Sequence, residues 1–141
     1  AYSPQGNLVA ACVGNHGKAP KSGFKGSSSV RRNSPVSQQR QDNAIVIYDA
    51  STWKAVHTLY GHEGAVYAVR FSGNGQRLAS AGADGTVRLW DPQAGVEVLA
   101  LRAHAGAAVA VDWNDDGQLL ASGGADGRLK VWDSGPASQQ P

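Results

Sequence analysis

The sequence predicts an all-β fold of short antiparallel strands set out in repeated units. Three observations carry this. First, Gly61-His62-Glu63-Gly64 through Arg88-Leu89-Trp90-Asp91 aligns without a gap to Ala103-His104-Ala105-Gly106 through Lys130-Val131-Trp132-Asp133, with His62 and His104 42 residues apart. Second, the apolar runs are short and several alternate with period two, the side-chain period of a strand. Third, the chain holds 18 glycines in 141 residues, clustered in turn sequences that leave no room for crossover helices.

Each element follows in order. Leu8-Val9-Ala10-Ala11-Cys12-Val13 is an apolar run of strand length. Tyr48-Asp49 lies 42 residues before Trp90-Asp91, and Asp42 the same distance before Asp84, which marks a degenerate upstream copy. Ala65 to Phe71 alternates loosely, and Arg77 to Ala81 is a short run of small residues. Thr86-Val87-Arg88-Leu89-Trp90 alternates strongly, with Val87 and Leu89 on one face and Arg88 on the other. Ser72-Gly73-Asn74-Gly75 and Ala83-Asp84-Gly85 between these runs are turns.

A period in the ~40–45 range, opened by Gly-His and closed by Trp-Asp, resembles the WD40 repeat of β-propellers. The resemblance implies four-stranded antiparallel blades, with strands a to d running outward from a central channel. In the best-preserved unit these strands fall at 65–71, 77–81, 86–91 and 96–102. Residues 1–61 then form a degenerate first blade, 62–103 a second repeat, and 104–133 a third that lacks its last strand. Residues 134–141 form a flexible tail. About three blades are expected where closed propellers use about 4–8, so the ring is incomplete. Such a chain reads as a fragment of a longer propeller, or as a short protomer that closes a ring with other copies. The apolar faces at its two ends invite self-association.

Composition narrows the classes further. Charged residues are 17% of the chain, against about 25% in typical domains. No window approaches the ~20 apolar residues of a membrane-spanning helix. The single cysteine, Cys12, excludes an internal disulfide framework and fits an intracellular compartment, cytoplasmic or nuclear. The net charge of +2 hides an asymmetry: residues 14–41 carry Lys18, Lys21, Lys25, Arg31, Arg32 and Arg40 without an acid, and all 11 acids lie at or beyond Asp42.

The recurrence of Ser, His and Asp raises a hydrolytic triad. Two equivalent copies in succession argue instead for architecture. By the resemblance, His62, Ser80, Asp84 and Trp90, and again His104, Ser122, Asp126 and Trp132, form buried hydrogen-bond chains. Trp can only donate, Ser and neutral His can do both, and Asp can end the chain as acceptor. His16, His57, His62 and His104 lack zinc-site spacing, so no metal and no cofactor is expected. Cys12 reads as a small buried hydrophobe rather than a reactive thiol. The turn Gly123-Gly124-Ala125-Asp126-Gly127 precedes no helix, so it is no phosphate loop. Asp115-Asp116-Gly117 lacks the remaining ligands of a calcium loop.

The first blade departs from the pattern: Ala11 stands in the register of Ser80, and Tyr48 in that of Trp90. Its b–c turn is replaced by the insert 14–41, basic and rich in serine, which cannot bury enough apolar surface to fold alone. Phe24, Arg31 and Arg32 in the insert are candidate partner contacts, and Ser34, ahead of Pro35, is a candidate phosphosite. Glu63, Ala83 and Ala125 are further candidates, because the resemblance places the b–c and d–a connections on the face that most often receives partners. The function implied is a non-catalytic scaffold for protein–protein interaction within a larger assembly. Its rivals are binding of nucleic acid or an acidic partner through the basic loop, and a propeller attached to an enzyme. Phe24 as sole aromatic of the insert makes nucleic acid the weaker partner.

Overall fold

The computed structural model describes residues 1–13 and 43–133. Among these there are ten strands and no helix: β1 (Leu8–Val13), β2 (Ala44–Asp49), β3 (Ala55–Leu59), β4 (Val66–Phe71), β5 (Leu78–Gly82), β6 (Thr86–Asp91), β7 (Val96–Arg102), β8 (Ala108–Trp113), β9 (Leu119–Gly124) and β10 (Leu129–Asp133). The strands make three antiparallel sheets in chain order: β1-β2-β3, β4-β5-β6-β7 and β8-β9-β10. The insert 14–41 with Phe24, Arg31, Arg32 and Ser34, together with Asp42 and the tail 134–141, lies outside the described residues.

The all-β, antiparallel prediction holds, and three strand limits move by one residue: β4 starts at Val66, and β5 runs from Leu78 to Gly82. The Arg77 amide donates to Ser72 Oγ at 3.0 Å, which keeps Arg77 in the turn. At the far end Gly82 pairs with Val66 across an irregularity between Val66 and Ala68, so β5 gains a residue. Ahead of β1, Tyr2 makes a lone bridge to Val9. The N-terminal ammonium of Ala1 donates to the Ala10 carbonyl at 2.7 Å. The arrangement is open, with a three-stranded sheet on either side of the four-stranded one.

Strand alternation sends each sheet's two faces to different neighbours. Ala10, Ile45, Ile47 and Leu59 of the first sheet pack against Val66, Val69, Leu78 and Trp90 of the second. The opposite face of the second sheet, Ala79, Ala81, Val87 and Leu89, packs against Ala108, Val111 and Leu120 of the third. The middle sheet is thus covered on both sides, and every residue of β5 is buried. Its sequence Leu-Ala-Ser-Ala-Gly shows little alternation for that reason, since both faces need small or apolar side chains. At the far end the same positions are wet: Leu129 and Val131 are 73% and 60% exposed, against 0% and 9% for Val87 and Leu89.

Turn chemistry fixes how the units follow one another. Gly85 sits at φ +79°, and a Cβ there would come within 2.5 Å of the His104 carbonyl oxygen. That close approach lets the Gly85 carbonyl accept from the amides of Ala103 and His104, both at 3.1 Å, linking the second unit to the third. The β6–β7 turn uses Gly95 at φ +72°, whose amide donates to Asp91 O. The matching position in the first unit is Trp53, at φ 57° and 60% exposed, whose amide donates to Asp49 O in the same way. A left-handed conformation costs a residue with a Cβ about 1–2 kcal/mol. Asn tolerates it, so Trp53→Asn should stabilise the chain by roughly 1 kcal/mol. A chemical-denaturation midpoint that falls instead would show that the exposed indole makes a stabilising contact.

Candidate functional site: two hydrogen-bond chains and the surface beside them

The second unit brings four distant residues together at the end where β5 turns into β6. His62 precedes β4, Ser80 lies in the middle of β5, Asp84 occupies the β5–β6 turn and Trp90 stands near the end of β6. Ser80 Oγ receives the Trp90 indole N–H at 2.8 Å and meets His62 Nε2 at 2.6 Å. His62 Nδ1 faces the Asp84 carboxylate at 3.1 and 3.2 Å. One proton arrangement satisfies all four: the Ser80 hydroxyl donates to Nε2, and Nδ1–H donates to Asp84. His62 and Ser80 are buried, and Trp90 is 1% exposed.

Asp84 is the collector of this chain. Besides the histidine it accepts from the amides of Glu63 (2.9 Å) and Thr86 (3.1 Å) and from the Thr86 hydroxyl (2.7 Å). Burial by itself would raise its carboxyl, but those donors outweigh burial and hold it below the ordinary carboxylate range. Burial pushes the His62 imidazolium the other way, below the usual histidine value, against the pull of Asp84. His62 is therefore the neutral donor that the geometry asks for.

The third unit repeats the arrangement more loosely. Ser122 Oγ lies 3.0 Å from His104 Nε2 and accepts from Trp132 Nε1 at 3.3 Å. His104 Nδ1 faces Asp126 at 3.0 Å. Asp126 accepts from the amides of Ala105 (3.3 Å) and Arg128 (3.0 Å), and these contacts hold its carboxyl low against burial. Arg128 stands where the second unit has Thr86, so the hydroxyl donor is missing. Trp132 is only half-buried.

Thr86 is the member that the repeat alignment does not reveal, because the third copy lacks it. Its signal is local: Asp84-Gly85-Thr86 is an Asx-type turn, with the carboxylate accepting from the amide two residues on. Arg88 is the second such residue. It sits 3.7 Å from Asp84 and 2.6 Å from Glu97 of β7, tying the fourth strand to the third.

Among the surface candidates, Glu63 and Ala125 are exposed and Ala83 is half-buried. Ala83 donates its amide to Ala65 O, and Ala125 to Ala107 O, so both are held in turns at the same end of adjacent sheets. Cys12 is half-buried against the first apolar seam, and burial raises its thiol. Among the described residues no group of three His, Cys, Asp or Glu is placed to hold a metal ion. No helix among them is long and apolar enough to cross a membrane.

Two predictions follow from the chain of bonds. Asp84→Ala leaves the His62 N–H, the Glu63 amide and the Thr86 hydroxyl without their acceptor. It should cost about 1–3 kcal/mol in urea unfolding. Asp126→Ala should cost less, since Asp126 has fewer donors and its surroundings are more open. A reversed order would show that the donors do not set the cost. The second prediction concerns pH. A histidine whose folded value is depressed contributes stability above its unfolded value, and loses it as pH falls. The thermal midpoint should therefore hold near pH 7–8 and decline below about 6.5, with a further decline as Asp84 protonates below about 3.9. His62→Gln should flatten the first decline, and a profile unchanged by that substitution would remove His62 from it.

The WD domain, G-beta repeat family model matches residues 53–91 and 95–133, more than half of the chain. A stretch of 43 residues is 46% identical to the human protein named WD repeat domain phosphoinositide-interacting protein 1, covering 30% of this chain and 10% of that protein. The chain thus matches about a tenth of the length of that curated relative. With these repeats carried on face-packed antiparallel sheets, the chain belongs to the WD40 family.

Proposed function

We propose that this chain is a non-catalytic scaffold that brings other proteins together within a larger assembly. WD40 repeats support a protein-interaction role in general. The observation that carries the non-catalytic reading is the burial of both serines: Ser80 is 0% and Ser122 is 1% exposed. Each hydroxyl is already engaged by an indole N–H and a histidine nitrogen. A hydrolytic nucleophile needs an exposed Oγ, an oxyanion hole and room for substrate. Recognition then falls to the surface at the turn end of the sheets, where Glu63, Ala83 and Ala125 are the proposed contacts.

A serine-directed fluorophosphonate probe tests the catalytic half of this reading. No labelling is expected, and covalent labelling of Ser80 or Ser122 would overturn it. Glu63→Arg and Ala125→Arg test the surface half. They should weaken partner capture while leaving the thermal midpoint in place.

A second reading rests on charge. The insert 14–41 gathers six cations without an acid, which suits an acidic or anionic partner. The relative's printed name refers to phosphoinositide interaction, and an anionic headgroup is one such partner. Binding that falls steeply with salt, and vanishes when 14–41 is replaced by a short turn, would favour this reading.

A further inference from the structure

The turn between β4 and β5 has a counterpart in each of the other units, and one residue of it changes chemistry from copy to copy. Ser3 to Gly6, Ser72 to Gly75 and Asn114 to Gly117 each close by a bond from the glycine amide to the carbonyl three residues back, at 2.9, 2.9 and 3.0 Å. The three glycines sit at φ 71°, 72° and 72°. The residue ahead of the glycine is Gln5, Asn74 and Asp116 in turn. Of the 6 asparagines in the chain, Asn74 is the one that glycine follows.

The Asn74 side chain is exposed, and its oxygen takes two donors: the Ser72 hydroxyl at 2.7 Å and the Gln76 amide at 3.0 Å. The Arg77 amide donates to Ser72 Oγ at 3.0 Å, which leaves the serine's own proton to point at Asn74. A backbone amide can only donate, so the network sets Oδ1 rather than Nδ2 on this side. Two donors on an amide oxygen draw electrons from its carbon, and they stabilise the oxyanion that forms when that carbon is attacked. The attacking group is the next atom set in the chain, the Gly75 nitrogen, whose residue carries no side chain to obstruct it.

We propose that Asn74 is a modification site, where the folded chain deamidates itself by attack from its own backbone. The Gly75 N–H first leaves the Ser72 carbonyl, which holds it at 2.9 Å, and this opening makes the reaction slow. The nitrogen then gives up its proton and attacks Asn74 Cγ. The N–Cγ bond forms, the Cγ–Nδ2 bond breaks, and ammonia leaves with the proton. The five-membered succinimide takes up one water and opens to aspartate, or to isoaspartate when the other carbonyl is attacked. Nothing is oxidised or reduced. Gln5 cannot follow this course, because its extra methylene demands a six-membered ring, and Asp116 has no ammonia to lose. Aspartate fits the turn as it stands: Asp116 Oδ1 accepts from the Gln118 amide at 2.9 Å, just as Asn74 Oδ1 accepts from Gln76. Isoaspartate lengthens the main chain between Gly75 and the Asn74 carbonyl, which receives Gln5 Nε2 of the first unit at 3.0 Å. The reaction therefore adds one negative charge to an exposed turn and, in its isoaspartyl branch, strains a link between two units.

The full chain, incubated folded at mildly alkaline pH and digested at intervals, tests this by mass spectrometry. The peptide holding Asn74 should gain the mass of one amide-to-acid exchange before any other described asparagine does, and faster as pH rises. Asn74→Gln should abolish the gain. Ser72→Asn installs the residue of the third unit, where Asn114 Oδ1 accepts from the Leu119 amide at 2.9 Å. That variant keeps an acceptor for the Arg77 amide and removes the hydroxyl donor, so it should fold normally and deamidate about ten-fold more slowly. Asn74→Asp should keep the thermal midpoint of the unmodified chain. Deamidation seen in urea but not in the folded chain overturns the proposal. An unchanged or faster rate in Ser72→Asn does the same, since it would mean that the bonds of the turn hold Asn74 back rather than help it. A lowered midpoint in Asn74→Asp would show that the turn does not accept the product.

Discussion

Trp90→Ala should cost about 3–5 kcal/mol, the range for removing a large buried aromatic side chain. The indole is 1% exposed and sits in the seam with Ile45, Ile47, Leu59 and Leu78. It also donates to Ser80 Oγ at 2.8 Å. Its loss opens a cavity between two sheets that are each too thin to close over it, and it strips one bond from the His62 chain. Against a typical net stability of about 5–15 kcal/mol, this one substitution takes a large share. The matching Trp132→Ala should cost clearly less. Trp132 is half-buried, its bond to Ser122 is longer at 3.3 Å, and among the described residues no fourth strand packs beyond β10. Urea unfolding of the two variants decides the matter: equal losses would mean that the repeat motif itself, rather than its covering, sets the energy.

That asymmetry marks the boundary of what residues alone disclose. The strands were legible because period-two alternation in Thr86 to Trp90, and turns such as Ala83-Asp84-Gly85, are local signals. The hydrogen-bond chain was legible in outline because His, Ser, Asp and Trp recur in register. Thr86 was not, since its counterpart is Arg128 and repetition could not single it out. That Leu129 is wet while Val87 is covered followed from the expected open ends of the repeat array, not from the two residues themselves. Both are apolar residues at one repeat position, and only the presence of a neighbouring sheet separates them. The 42-residue register already sets Trp53 opposite Gly95, but that the tryptophan keeps the glycine's positive φ shows only in the structure. Strand ends shifted by a residue where a side chain, Ser72 Oγ, took an amide that the pattern had given to the ladder.

Leu129→Lys combined with Val131→Lys should remove the self-association that we expect of the chain, without lowering its thermal midpoint. The argument is one of equivalence. Val87 and Leu89 are buried because the third sheet lies on them, and Leu129 and Val131 present the same face with nothing over it among the described residues. The opposite end of the arrangement carries the complement: Val9, Ala11 and Tyr48 stand in the register of Leu78, Ser80 and Trp90, and are only half-buried. One copy's third sheet can therefore stack on another's first sheet in the geometry already used twice within the chain. Burying a Leu or Val side chain is worth about 1.5–3 kcal/mol each, enough with their neighbours to hold copies together at high concentration. The two faces differ, so the contact is head-to-tail, and it either closes into a ring or grows. Sedimentation velocity across a concentration series should show species that rise with concentration in the unmodified chain and vanish in the double variant. Two exposed lysines replace two exposed apolar residues, so folding has nothing to lose. A monomeric unmodified chain, or a double variant that still associates, would show that these faces do not join copies.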